Sequence, residues 1–67
     1  MSTASYTVVG MTCNHCVASV TEEVGEVPGV TAVDVDLASG RLTVTSDAPV
    51  SEAQVRDAVA EAGYSLA

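Results

Sequence analysis

The stretch of sequence that decides the fold is Gly10-Met11-Thr12-Cys13-Asn14-His15-Cys16. A valine-rich pattern typical of a strand precedes it, and a pattern typical of a helix follows it. The stretch contains both cysteines of the 67-residue chain. Two thiols separated by only two residues, at a turn from strand to helix, indicate either a site for a soft metal ion or a redox pair.

Hydrophobic periodicity divides the chain into six elements. Apolar residues that alternate with polar ones indicate strands, and apolar residues that recur every three or four positions indicate helices. Glycine and proline mark the ends of several segments, as in Pro28-Gly29 after the first helix and Gly63 after the second. The predicted order is strand, helix, strand, strand, helix and strand, over residues 6–10, 14–27, 30–37, 41–46, 51–62 and 64–67.

The second predicted helix has the clearest start signal. Ser51 and Gln54 have the spacing of a capping box, and Val50 and Val55 occupy the positions of a hydrophobic staple. In the preceding hairpin we expect Arg41 to pair with an aspartate across the two strands. Such an exposed ion pair is worth only about 0 to 1 kcal/mol.

The order of elements predicts an α+β fold, the ferredoxin-like βαββαβ sandwich. In this fold a four-stranded antiparallel sheet carries two helices on one face. The length predicts a single domain over residues 1–67. Hydrophobic residues make up 48% of the chain, enough for a core, but Trp and Phe are absent. The core is therefore expected to consist mainly of Val, Ala and Leu.

The charge of the chain excludes several partners. Nine acidic residues against two arginines give a formal net charge of -7, which excludes nucleic acid and an anionic membrane surface as ligands. A basic protein partner and a merely solubilising acidic surface both stay open. No run approaches the roughly 20 apolar residues of a membrane span, and the N-terminus lacks the features of a signal peptide. We expect a cytoplasmic protein without membrane insertion. In the cytoplasm its thiols would stay reduced.

Three chemistries compete for the two cysteines. A closed structural zinc site needs four nitrogen or sulfur ligands, and this chain offers only Cys13, His15 and Cys16. A redox pair also lies at the start of a helix, although the longer thioredoxin-like fold is missing. A Cu(I) site needs only two soft thiolates. The residues alone leave both the redox pair and the Cu(I) site open. No spacing suggests a catalytic triad or a carboxylate pair, so we expect that the protein is not an enzyme.

The complete motif resembles the Gly-Met-Thr-Cys-x-x-Cys signature of the heavy-metal-associated domain, and the resemblance extends to Ala62-Gly63-Tyr64. A short chain of this kind is similar to the bacterial copper chaperones (CopZ-like proteins). The resemblance implies a cytosolic Cu(I) chaperone with Cys13 and Cys16 as metal ligands. It would transfer copper by thiolate exchange to the metal-binding domain of a copper-exporting P-type ATPase. The alternatives are an excised N-terminal domain of such an ATPase, a mercury scavenger and a thiol-disulfide oxidoreductase.

Four further residues are expected near the ligands. The resemblance implies that Met11 packs under the loop, and that Thr12 favours Cu(I) over Zn(II), because zinc-exporting relatives often have Asp there. Tyr64 corresponds to a loop position facing the metal, where it either shields the site or closes the core. His15 is either an exposed residue of the first helical turn or a modulator of the thiolates. A second copy of the chain could complete the ligand set, giving a Cu(I)-bridged homodimer.

Overall fold

A computed structural model describes all 67 residues and confirms the ferredoxin-like α+β fold. The strands form one antiparallel sheet in the order β2-β3-β1-β4. Helices of 12 and 10 residues cover one face of it, and neither is long and apolar enough to cross a membrane. The elements are β1 (Ser2–Val9), α1 (Asn14–Gly25), β2 (Val30–Asp36), β3 (Arg41–Ser46), α2 (Glu52–Glu61) and β4 (Ser65–Leu66).

The core lies between the sheet and the two helices and consists of small aliphatic side chains. Alternation places every second residue of β1 and β3 against the helices, and helical spacing turns one face of α1 and α2 towards the sheet. Full burial of one such side chain stabilises the fold by about 1.5–3 kcal/mol. The buried apolar residues are Val8, Val20, Val24, Leu42, Val44, Val55, Ala58 and Val59.

Several element boundaries differ from the sequence prediction. Helix α1 ends at Gly25, and its last turn tightens, since the Val27 N–H donates to the Val24 carbonyl at 3.1 Å. Strand β1 begins at Ser2, because it pairs with β3 as far as Ser46. Strand β4 forms only two residues of pairing with β1. The early part of β1 has no apolar alternation, and backbone pairing alone defines it.

The predicted ion pair of Arg41 is wrong. Asp36 lies opposite Arg41 in the hairpin, but its carboxylate accepts hydrogen bonds from the Ala38 N–H and the Ser39 hydroxyl, both at 3.1 Å. The turn therefore occupies the carboxylate that lies opposite the arginine. The ion pair that does form joins Arg56 to Glu52 along the exposed side of α2.

The capping box at the start of α2 gives a test of the fold. The Gln54 N–H donates to the Ser51 hydroxyl at 3.2 Å, and the Ser51 N–H donates to the Gln54 side chain at 3.0 Å. We expect Ser51→Ala to lower the free energy of unfolding by about 1 kcal/mol, because it leaves the Gln54 N–H without its partner. Urea denaturation measures the change. The control Ser65→Ala, at an exposed position, should stay within about 0.5 kcal/mol of the unsubstituted protein; equal losses in both variants would contradict the cap.

Candidate metal centre

Cys13 marks the start of α1. It is the N-cap residue, with extended backbone (φ -158, ψ 173), and its carbonyl accepts hydrogen bonds from the N–H groups of Cys16 at 3.1 Å and Val17 at 3.3 Å. These bonds fix Cys16 in the first turn of the helix. The Cys13 thiol makes no capping hydrogen bond and is exposed. The main chain of Cys13 therefore has a structural role, while its side chain is free for chemistry.

The two sulfur atoms lie side by side. Cys13 Sγ and Cys16 Sγ are 3.5 Å apart, and both cysteines are free thiols. A disulfide bond is about 2.05 Å long, so the two atoms are in contact but not bonded. Cys13 is exposed and Cys16 is half-buried. Small side-chain rotations would let the pair hold one soft ion between them or close to a disulfide.

Within the chain, the two thiols have no third ligand. No group of three or more His, Cys, Asp or Glu side chains is arranged to hold a metal ion. His15 lies exposed on the first turn of α1, and its carbonyl accepts a hydrogen bond from the Ser19 hydroxyl at 3.1 Å. The side chains of one chain therefore show a pair of thiols and not the four-ligand arrangement of a closed zinc site.

The surroundings of Cys16 favour its thiolate. Its pKa falls from the ordinary 9.0 to about 6, chiefly through the backbone of Thr12 and then through the Tyr64 hydroxyl. Partial burial opposes this shift, and the Cys13 thiol and backbone add to it. Helix α1 also has no acidic residue in its first turn that would repel a negative sulfur. At neutral pH, Cys16 is therefore mostly ionised.

Tyr64 follows the C-terminal end of α2, and its ring lies against Gly10 in the segment that leads to the cysteines. The Gly63 N–H donates to the Ala60 carbonyl at 2.9 Å and the Tyr64 N–H donates to the Val59 carbonyl at 3.1 Å, the two bonds of a Schellman motif. Gly63 has the positive φ of +95 that this motif requires. The interaction with Cys16 raises the pKa of the Tyr64 phenol. The end of α2 thus delivers an aromatic side chain to the loop.

Met11 and Thr12, also named from the sequence, differ in burial. Met11 is half-buried and packs against the core. Thr12 is exposed, with its hydroxyl oxygen 3.9 Å from Cys16 Sγ, so it lies beside the thiols without offering a carboxylate. Sequence reasoning placed Gly10 at the end of a strand and in the cysteine motif, but it missed the contact of Gly10 with Tyr64. In the structure the Tyr64 ring lies directly against Gly10.

A model of the heavy-metal-associated domain matches residues 5–65. The chain belongs to this family. It is 46% identical to the copper chaperone CopZ of Bacillus subtilis over 61 aligned residues. The alignment covers 90% of this chain and 88% of that protein. Its fold matches a solved CopZ metallochaperone with a TM-score of 0.92 and 34% identity, over 98% of this chain and 100% of the other. It also matches a copper-binding domain from HMA7, a P-type ATPase, with a TM-score of 0.91 and 31% identity, over 100% and 92% of the two chains.

The lowered pKa of Cys16 gives a prediction for this member of the heavy-metal-associated domain family. In the metal-free protein Cys16 should titrate with a midpoint of about 6. Tyr64→Phe should raise this midpoint, because it removes a hydroxyl that stabilises the thiolate. NMR of the Cys16 Cβ across pH measures both values. The control Tyr6→Phe alters the chain's other tyrosine and should leave the midpoint unchanged; a wild-type midpoint near 9 would contradict the prediction.

Proposed function

We propose that this chain is a cytosolic Cu(I) chaperone, formed by one heavy-metal-associated domain over residues 1–67, with Cys13 and Cys16 as its metal ligands. The observation that carries the proposal is the pair of free sulfur atoms 3.5 Å apart at the exposed start of α1. One of the two is already poised as a thiolate. Copper is the cargo of the protein, and the proposal involves no catalysis.

The donor set favours Cu(I) over harder ions. Thiolates are soft ligands, and two of them suffice for Cu(I), whereas Zn(II) in proteins usually takes four ligands. The position before the first cysteine is Thr12, which supplies no carboxylate. The Bacillus subtilis relative described above is named a copper chaperone. These points together make Cu(I) the proposed cargo.

Transfer of the ion would proceed by exchange of ligands. A thiolate of a partner can approach the exposed Cys13, form a Cu–S bond and then displace the bonds to the chaperone one at a time. The oxidation state of copper does not change, and each bond that breaks is replaced by one that forms. We propose the metal-binding domain of a copper-transporting P-type ATPase as the partner, since a domain of that kind shares this fold.

Two alternatives have specific support. The similarity to the HMA7 domain fits an ATPase segment as well as a chaperone, and the neighbourhood of the gene would separate the two. Two free sulfurs at 3.5 Å could also serve a thiol-disulfide oxidoreductase. A measured reduction potential and turnover of a disulfide substrate would separate this function from metal transport.

The ligand assignment predicts the behaviour of single cysteine variants. Cys13→Ser and Cys16→Ser should each abolish tight Cu(I) binding, because one thiolate cannot hold the ion against competing thiols. Anaerobic Cu(I) titration against a chelator, followed by native mass spectrometry, measures affinity and stoichiometry. The control Ala18→Ser adds a hydroxyl at an exposed position of α1 and should bind Cu(I) like the unsubstituted protein.

A second control tests the thioether of Met11. Met11→Leu should change stability by less than about 1.5 kcal/mol and leave the affinity intact, because Met11 is a packing residue. Wild-type affinity in either cysteine variant would disprove the two-thiolate site. A folded Met11→Leu variant with much weaker binding would make the sulfur of Met11 a ligand instead.

Copper loading is also predicted to promote a weak homodimer, in which the cysteines of two copies share the ion and His15 lies near the joint site. A charge of -7 on each chain opposes this association. Since salt screens exposed charges beyond about 8 Å, the dimer should strengthen as ionic strength rises. Sedimentation velocity at several copper ratios and salt concentrations measures it. A strictly monomeric protein at and above one Cu(I) per chain would exclude the dimer and leave the chaperone proposal standing.

A further inference from the structure

One edge of the sheet is only partly covered. Strand β1 lies between β3 and β4, but β4 is short and pairs with β1 only near the end that leads to the cysteine loop. One more bond follows, from the Ala67 N–H to the Thr7 carbonyl at 2.8 Å. The remainder of β1, from Ser2 to Tyr6, pairs with β3 alone. This part of β1 is therefore a free edge of the sheet.

The free edge of β1 presents main-chain groups that no strand of the chain pairs. In an antiparallel ladder the main-chain groups of successive residues point to opposite sides of the strand. The Val8 N–H donates to the Gly40 carbonyl on the β3 side at 2.8 Å, whereas the Thr7 carbonyl accepts on the β4 side. The main-chain groups of Thr3 and Ser5 share the direction of those of Thr7, and so they face away from β3. An extended segment can pair with them as an added strand.

A cavity of about 400 Å³ lies along this edge, where an added strand would run. Its lining includes Ser5, Tyr6 and Thr7 of β1, together with Ala67 just after β4. The lining residues belong to both faces of the sheet, since Tyr6 shares a face with the buried Val8 and Thr7 lies on the other. The cavity is thus the space beside a strand edge and not a pocket inside the core.

Both arginines of the chain line this cavity. They come from different elements, Arg41 from β3 and Arg56 from α2. Glu52 is the one acidic residue in the lining, and it forms the ion pair with Arg56 described above, whereas Arg41 forms none. Strand β1 itself has no charged side chain. The edge therefore carries a local positive charge in a chain whose net charge is -7.

We propose that the free edge of β1 binds an extended segment of a partner protein that carries carboxylate side chains. The main chain of this segment pairs with Thr3 and Ser5, and its carboxylates bind Arg41 and Arg56. Charge complementarity selects an acidic segment, because this edge holds both cations of a chain that is acidic elsewhere. Neither cysteine takes part, so the proposal does not depend on the proposed metal transport.

NMR titration of the isotope-labelled, reduced and metal-free protein tests the proposal. The probe is a synthetic heptapeptide with blocked ends, Thr-Val-Asp-Val-Asp-Val-Thr, added to millimolar concentration. Changes in amide shift should concentrate at Thr3 and Ser5, because their N–H groups gain partners. The same peptide with Asn in place of both Asp residues should bind about threefold more weakly, an effect within the range of an exposed ion pair.

Variants of the protein test the main-chain and the charged parts of the edge separately. Ser5→Pro removes an N–H that faces away from β3, so the fold should persist while binding is lost. Arg41→Gln should weaken binding of the Asp peptide by about threefold and leave binding of the Asn peptide unchanged. The matched control Ala18→Glu, at an exposed position of α1, changes the net charge by the same single unit and should leave both affinities unchanged.

Equal binding of the Asp and Asn peptides, or equal losses in Arg41→Gln and Ala18→Glu, would overturn the proposal. Full binding by Ser5→Pro would also overturn it, because the peptide would then lie elsewhere. If Ser5→Pro does not fold, a peptide N-methylated at every residue takes its place, and binding of that peptide overturns the proposal equally. Sedimentation velocity of the protein alone tests a second copy as occupant, through Asp34 and Asp36 of its β2. Self-association that Arg41→Gln abolishes would identify that copy as the partner and overturn an external one.

Discussion

Cys13 is the N-cap of helix α1, and this start of the helix determines the geometry of the cysteine loop. The Cys13 carbonyl binds the N–H groups of Cys16 and Val17, which places one cysteine just before the helix and the other in its first turn. Each helical residue is rotated by about 100° from the last, so a start shifted by one position would turn Cys16 away from Cys13. Burial of Val20 and Val24 farther along the helix fixes the rotation of α1 on the sheet, and the bonds to the Cys13 carbonyl fix where the helix begins.

The sheet contributes to the site through its topology. Because β4 pairs with β1, the last residues of the chain lie beside the residues that lead into the cysteine loop. The core that supports this arrangement contains only small aliphatic side chains. Tyr64 therefore brings to the loop an aromatic ring of a kind that the buried core lacks. The loop is shaped by contacts from both ends of the sequence.

Sequence reasoning succeeded where a local pattern determines the structure. The alternation around Val33 and Val35, the helical spacing of Val55 and Val59, and the capping box at Ser51 all specify elements through neighbouring residues. The closeness of Cys13 and Cys16 follows from their spacing at the start of a helix.

The sequence did not reveal features that depend on distant pairing. The start of β1 at Ser2 follows from its backbone bonds to β3, not from any hydrophobic pattern. The Asp36 carboxylate accepts hydrogen bonds within its own turn and does not pair with Arg41. The sequence does not distinguish the two, because exposed interactions of this kind have similar energies. The contact of Gly10 with Tyr64 depends on the register of β4 on β1. The low pKa of Cys16 depends in part on the same register, through the Tyr64 hydroxyl.

The two helices begin in opposite ways, and the difference has a consequence for stability. Helix α2 starts with a capping box and has Glu52 in its first turn, whereas α1 has no side-chain cap and no acidic residue there. The ionised sulfur of Cys16 therefore supplies the negative charge that the start of α1 otherwise lacks. Because folding lowers the pKa of Cys16, this stabilisation is complete above pH 9.0 and is lost as pH falls through about 6. The pH dependence of the free energy of unfolding therefore includes a contribution from the ionisation of Cys16.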